Sequence, residues 1–242
     1  MKYSLDILNW QAIAPGITDA SRWEAWAAQD VSFPLAGELA KSQTIPMMTA
    51  RRMSPASRLA VETSLSIMDC NPADMAIFTS RHGELDRTYK ILQSLAVTDD
   101  ISPTDFSMSV HNTAAGWLTI AGKKTLPVTS LAASEDSFQQ GILEAIAMLH
   151  TGAERVLLVD FDAPIPQVYS QNAEPISAPY AVALLLSKGS TLSFERLPNT
   201  HRPLSPVLPQ SLQFLRSWLN KKISFYVAAQ EHQWQWTSHR GE

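Results

Sequence analysis

The sequence predicts an α/β protein in which a central mixed sheet is flanked by helices, and three stretches carry that expectation. In the first, an apolar run at 126–131 passes through Ala132, Ala133 and Ser134 into a segment bearing Phe138, Ile142, Ile146 and Leu149. Their spacings of four, four and three place them on one face of a helix. Gly152 stands just beyond, where a left-handed cap is easiest for a residue without a Cβ. In the second, 156–159 is wholly apolar, the pattern of a strand buried on both faces. In the third, 74–79 is another apolar strand. Ser80-Arg81-His82-Gly83 turns it into a helix over 86–95 with Tyr89, Leu92 and Leu95 at near-helical spacing.

Other elements follow along the chain. Residues 3–9 half-alternate in polarity and form a first strand, ended by Ala14-Pro15-Gly16. A short helix over 21–29 carries Trp23 and Trp26 on one side, as core residues or as contacts to a partner. Ser54-Pro55 is an N-cap followed by proline at the first helical position. It opens a helix to about Asp69 with Leu59, Val61, Leu65 and Met68 inward. Residues 105–120 are helical in their second half. After Asp162, Pro164, Pro166, Pro175 and Pro179 punctuate a loop. Segments 181–186 and 190–196 are expected as two strands of a hairpin. Pro206 and Pro209 precede a helix over 211–220 with Leu212, Leu215 and Leu219 inward. Residues 222–227 form a strand, and Gln233-Trp234-Gln235-Trp236 is expected to pack at a sheet edge.

Composition narrows the function classes. At 45% hydrophobic and 17% charged, the 242 residues can bury a sizeable core. A net charge of −4 gives no electrostatic case for nucleic acid. The start, Met1-Lys2-Tyr3, leads into a strand pattern rather than a secretory signal. The longest apolar runs, such as 180–186, fall far below the ~18 residues needed to span a bilayer. One cysteine, Cys70, excludes an internal disulfide and suits the reducing cytoplasm. Preceding Asn71-Pro72 at a helix end, it is expected as a buried structural thiol.

The turn at 132–136 is where chemistry would sit. A turn feeding a helix from the carboxyl end of a strand offers free N–H groups and a partial positive charge to a developing anion. Glu135 occupies the elbow, flanked by Ser134 and Asp136. Ser134 and Ser137 lack the Gly-x-Ser-x-Gly context of a serine nucleophile. Glu135, Asp136, Glu144 and His150 match no familiar metal-ligand spacing, so neither metal nor cofactor is expected.

This segment resembles the nucleophile elbow of β-ketoacyl synthases, enzymes of the thiolase fold. Their pattern is Thr-Ala-Cys-x-Ser, then a helix, a glycine and a strand ending Gly-Gly. With Gly152 on the family's glycine, Glu135 falls on the nucleophilic cysteine and Asp160-Phe161 on the closing Gly-Gly. Upstream, 106–116 with Asn112 and Gly116 resembles the family's Pro-x-x-x-x-Asn-x-x-Ala-Gly segment, and 78–85 its small-residue turn. The resemblance covers roughly 45–162.

It implies a truncated thiolase-like fold in a single domain, 1–242, with its core at about 1–162 and a shortened extension, 163–242, completing the sheet. The family's catalytic histidines lie in a second half. Here 107 residues follow Glu135, and His150, His201, His232 and His239 lie outside any glycine-rich loop of the family's type. The resemblance therefore implies no catalytic residue of the chain's own and a cytoplasmic, chain-length-factor-like subunit of the kind accompanying aryl polyene ketosynthases. Its partners would be a full-length β-ketoacyl-ACP synthase, in a heterodimer, and acyl carrier protein through the complex. Arg51 and Arg52 resemble the basic pair that starts this helix in ketosynthases, either simply solvated or docking the carrier protein. Thr88, Leu92, Phe106, Met108 and Thr113 are the expected acyl-tunnel lining. The strand holding Leu126, Val128, Ser130 and Leu131 is the expected interface. Glu135 is expected to cap the elbow helix, because a carboxylate would give a reactive anhydride with an acyl thioester. The alternative is a self-sufficient acyl-thioester enzyme, a malonyl decarboxylase or acyltransferase, using Glu135.

Overall fold

The computed structural model describes residues 1–29, 33, 37–98, 100–123, 125–169, 171, 176, 178–198, 208–229 and 231–239. Lys124, Pro175, His201 and Pro206 lie outside them. Among the described residues the helices are α1 (Ala20–Ala28), α2 (Met47–Ala50), α3 (Pro55–Met68), α4 (Leu85–Thr98), α5 (Pro103–Ser107), α6 (Thr113–Gly122), α7 (Ser137–His150) and α8 (Gln210–Leu219). The strands are β1 (Lys2–Ile13), β2 (Met75–Thr79), β3 (Val128–Leu131), β4 (Arg155–Asp162), β5 (Tyr180–Pro198), β6 (Ser224–Ala228) and β7 (His232–Ser238).

All seven strands share one mixed sheet in the order β3-β2-β4-β5-β7-β6, with β1 also paired to β5. β2 runs parallel to β3 and β4, while β5 is antiparallel to β4, β1 and β7. Side chains alternate across it, as a period of two requires. Val156 and Leu158 of β4, with Val182, Leu184 and Leu186 of β5, face a core shared with α1, α7 and α8. Leu157, Val159, Ala183 and Leu185 face a second core under α3 and α6. The helix faces expected from sequence are the ones buried: Leu59, Val61, Leu65 and Met68 on α3, and Phe138, Ile142, Ile146 and Leu149 on α7. Ser54 caps α3, its hydroxyl accepting from the Ser57 N–H at 3.1 Å. Trp23 and Trp26 are core residues, and the Trp23 indole N–H donates to the Ala12 carbonyl.

Three expectations are corrected. Residues 181–186 and 190–196 are not a hairpin but one strand, β5. Its pairing with β1 skips from Leu5↔Leu192 to Asp6↔Ser187, so the polar 188–191 segment bulges instead of turning. Asp6 pins the bulge by accepting from the Thr191 N–H and hydroxyl, in space that a Cβ on Gly189 would occupy. Trp234 and Trp236 lie on β7, which sits between β5 and β6 rather than at an edge. Cys70 is exposed, because it follows the last turn of α3 and faces away from the core. The third helix face, Tyr89–Leu92–Leu95, meets no core: Leu92 and Leu95 are exposed, and Tyr89 is half-buried against Tyr169.

Candidate functional site

The carboxyl ends of β3, β2 and β4 converge, and each delivers a turn or side chain to one place. From β3 the chain enters a 3-10 turn, Ser134–Asp136, and then α7. Ser134 takes φ = 54°, a conformation uncommon for a residue with a side chain and typical of tight functional turns. The Ser137 hydroxyl closes the turn, accepting from the Ala133 N–H at 2.9 Å and donating to the Ser134 carbonyl at 2.7 Å. The expectation that Glu135 caps the helix is thereby corrected. Its carboxylate instead turns across the strand ends to Arg81, 3.4 Å away on the turn after β2.

A group that sequence reasoning missed completes this elbow. Gln210, the first residue of α8, accepts from the Gln139 N–H at 3.3 Å and so occupies one of the free donors at the start of α7. Its amide donates to Asp136 at 2.9 Å and to the Ala228 carbonyl. Asp136 also accepts from Trp234 at 2.8 Å, from Gln140 at 2.7 Å and from His232 at 3.2 Å. One backbone donor at the start of α7 is thus engaged by the segment following residue 208.

At the end of β4, Asp162 accepts from the Ser80 hydroxyl and from the N–H groups of Arg81 and His82, fixing the turn after β2. Asp160 accepts from Thr79, Tyr180 and Ser211, joining β2, β5 and α8. Burial raises both carboxyls, against the pull of these hydrogen bonds, and takes Asp162 to about 7. Burial, then the neighbouring Asp160, keeps the Tyr180 phenol protonated. A folded Asp162 therefore holds a proton that the unfolded chain releases near pH ~4. Its contribution is complete below that pH and lost as pH rises toward about 7, a span worth about 4 kcal/mol. In Asp162→Asn the difference in stability between pH 4.5 and pH 7.5 should be visibly flatter than in wild type. Denaturant titrations at the two pH values check this, and parallel profiles would refute it.

Several of the sequence's candidate groups lie away from the elbow or are engaged within it. The single cysteine, Cys70, lies before the amino end of β2, whereas the elbow lies past the carboxyl ends, a strand length of roughly 15 Å away. Ser137 is spent on the turn and His232 on Asp136 and Arg196. Glu144 and His150 sit further along α7, His150 at its far end, and no described group of three or more His, Cys, Asp or Glu could hold a metal ion. The other sequence candidates spread over one flank. Thr88 and Met108 are half-buried, Leu92 and Phe106 are exposed, and Thr113 is buried with its hydroxyl donating to the Met108 and Val110 carbonyls. Leu126, Val128, Ser130 and Leu131 are half-buried on or beside β3, which forms one end of the sheet. Arg51 and Arg52 are exposed, and the Arg52 guanidinium lies 5.4 Å over the Trp117 ring.

The family model of the β-ketoacyl synthase N-terminal domain matches residues 23–237. The chain belongs to the β-ketoacyl synthase family. Within it, the chain is 45% identical to a chain of the complex of ketosynthase ApeO with its chain length factor ApeC from Xenorhabdus doucetiae. The match covers 97% of this chain and 99% of that one at a TM-score of 0.92. Similarity of fold alone extends to the ishigamide ketosynthase/chain length factor, 13% identical, over 82% of this chain and 68% of that one, TM-score 0.64. It extends also to a β-ketoacyl synthase from Burkholderia phymatum, 13% identical, over 91% and 71%, TM-score 0.56. Comparison with curated proteins gives no significant match. The fold is thus a thiolase-like ketosynthase fold, shortened relative to full ketosynthases. Among the described residues no helix is long and apolar enough to cross a membrane.

Proposed function

We propose that this chain is a non-catalytic, chain-length-factor-like subunit. It pairs permanently with a full-length β-ketoacyl-ACP synthase, helps to shape the tunnel for the growing acyl chain, and meets acyl carrier protein through the complex in the cytoplasm. Polyene, polyketide or fatty-acid-type synthesis is the setting. One observation carries this reading: the elbow keeps its strand–turn–helix form while its reactive position holds Glu135, tied to Arg81. The likeness to a chain of the ApeO–ApeC complex supports it. Residues 1–242 are read as one unit, with 163–242 supplying Gln210 and β7 to the elbow and sheet.

The partner surface is assigned to the β3 end. β3 pairs there with β2 alone among the described residues. Nearby, α4, α5 and the turn after α5 leave Leu92, Val97, Phe106 and Val110 exposed, Val97 at 83%. An amphipathic helix with its apolar face in water marks an interaction site. An interface of ~2,000 Å² would cover it and the strand edge together. Thr88, Leu92, Phe106, Met108 and Thr113 are assigned to the tunnel wall, completed by the ketosynthase. Because the Thr113 hydroxyl braces the turn before α6, Leu92 and Phe106 are the informative positions. Leu92→Trp should shorten the products and Phe106→Ala lengthen them, as read by mass spectrometry of the released acyl chains. Unchanged profiles for both would remove α4 and α5 from the tunnel.

Co-expression with a ketosynthase tests the reading as a whole. The two chains should co-purify, and acyl and malonyl carrier-protein substrates should turn over only when the ketosynthase is present. Glu135→Ala should leave the condensation rate of the complex within a few-fold, since a half-exposed ion pair contributes at most ~1 kcal/mol of stability and no chemistry. Turnover by this chain alone, or loss of activity in an assembled Glu135→Ala complex, would make Glu135 a functional group.

A further inference from the structure

Positive charge is unevenly placed in this acidic chain. Residues 39–61 and 106–134 hold none of its 23 Asp and Glu, but six of its 19 Lys and Arg: Lys41, Arg51, Arg52, Arg58, Lys123 and Lys124. The fold brings the two stretches together. Both contribute to the core under α3 and α6, and the Arg52 guanidinium lies 5.4 Å over the Trp117 ring. Lys41, Arg51, Arg52 and Lys123 are exposed, and none of the four forms a salt bridge among the described residues. Acids that reach this layer are engaged. Glu62 accepts from the Gln43 and Thr44 N–H groups, Glu84 from the Ser54 and Ser57 hydroxyls, and Asp105 pairs with Arg87.

On this face the chain projects. α2 is a single turn between two buried anchors, Ile45 and Met53, which are 4% and 8% exposed. Between them Met47 and Met48 stand 65% and 71% exposed, shortly before Arg51 and Arg52. The turn is hydrogen-bonded: the Thr49 and Ala50 N–H groups donate to the Pro46 carbonyl, and the Arg51 N–H donates to that of Met47. Two adjacent apolar side chains are thus held out into water beside a pair of unpaired cations.

That combination selects a partner surface. Nucleic acid would use the cations and leave the methionines idle, because bases stack on aromatic rings and the Trp117 ring is only 4% exposed. A folded protein receives a protruding apolar tip only where a pocket is shaped for it. A bilayer yields to a convex tip, takes apolar side chains at the headgroup boundary and offers anionic phosphates at the same depth. We propose that α2 docks this chain reversibly on an anionic membrane surface, Met47 and Met48 entering the headgroup boundary and Arg51 and Arg52 binding lipid phosphates. Neither signal suffices alone; apolar insertion and charge attraction act together. The site stands on this chain's own residues, whether or not the chain pairs with a ketosynthase.

Vesicle flotation tests this. The chain, free or in its complex, is mixed with vesicles of phosphatidylcholine or of an equal mixture of phosphatidylcholine and phosphatidylglycerol, then centrifuged through a density gradient. Aggregated protein sediments and vesicle-bound protein rises; a ketosynthase alone is the blank. Wild type should float with the mixed vesicles at least ~10-fold more than with the neutral ones at low salt. It should be released near ~1 M salt, where the Debye length is ~3 Å. Arg51→Gln with Arg52→Gln should lower recovery ~10-fold or more. Met47→Ser with Met48→Ser should lower it several-fold, whereas Leu8→Ser, which removes an exposed apolar side chain elsewhere, should not. Thermal melts close to wild type establish that the variants are folded. No flotation, equal recovery on neutral vesicles, or unchanged recovery in either double variant would overturn the proposal. Binding of acyl carrier protein that these variants abolish, without flotation, would also overturn it and give the tip to an acidic protein.

Discussion

Replacing Val128 by proline is expected to abolish assembly with the ketosynthase while leaving the fold of this chain intact. The hydrogen-bond register of β3 is the reason. The Ala76 N–H donates to the Pro127 carbonyl and the Ser80 N–H to the Leu131 carbonyl, with Ala76 opposite Val128 in a parallel pair. In such a ladder alternate residues point their backbone groups to the same side. Residues 127, 129 and 131 therefore serve β2, and the N–H groups of Val128 and Ser130 point outward, to the open side. Proline at 128 removes an outward donor and places its ring where a partner strand would lie, yet breaks no bond to β2. Co-purification should fall by at least an order of magnitude, with the circular dichroism spectrum preserved. Thr129→Pro, which removes an inward bond, should instead destabilise the chain itself. Unimpaired assembly of Val128→Pro would move the interface away from this edge. An exposed apolar edge of this kind is also a template for self-association. The wild-type chain should accordingly be poorly soluble alone, and a monodisperse micromolar monomer by light scattering would contradict a permanent partner.

Trp236→Ala should be the most damaging single change within the fold. Trp236 is fully buried on β7, with ring centroids 4.4 Å from Phe194, 4.7 Å from Phe214 and 6.3 Å from Phe225. Its indole nitrogen makes no hydrogen bond, so the loss is one of packing. Truncating a buried tryptophan costs ~3–5 kcal/mol, a large part of the ~5–15 kcal/mol that holds a domain together. The melting temperature should fall by about 10 °C or more, while Trp236→Phe stays closer to wild type. The transition should remain single, with probes in α3 and in α8 melting together. Separate transitions would show that 163–242 is a unit of its own.

How far the sequence could be read follows from where each element finds its partners. The 137–150 helix and the strands at 75–79 and 155–162 were legible because their burial is local and periodic: one face of α7, both faces of β4. β5 was not, since Ser187-Lys188-Gly189-Ser190 has the composition of a turn, and only Asp6, far away in sequence, makes it a bulge. β7 read as an edge strand because its neighbour β6 is short and half-polar. The elbow position was legible from Gly152 and the small residues before Glu135. The fate of Glu135 was not, because Arg81 reaches it from another strand. Gln210 carries no sequence signal at all. A glutamine opening a helix is ordinary until α8 is seen to deliver it to the start of α7. The burial of Asp160 and Asp162 is likewise invisible in a sequence, where two acids near a strand end look like a solvated turn.

The pairing of β1 with β5 sets a timetable for the newborn chain. β1 leaves the ribosome well ahead of its described strand partner β5, which is complete only at Pro198. At ~5–20 residues per second, β1 waits on the order of ten seconds or longer before it can be paired. During that wait Leu5, Ala12 and Ile13, all destined for the interior, stay available to any holdase or neighbouring nascent chain. On the proposed pairing, a chain translated next to a ketosynthase message would meet that partner in this interval. Expression from separate transcripts would leave β1 to the chaperones.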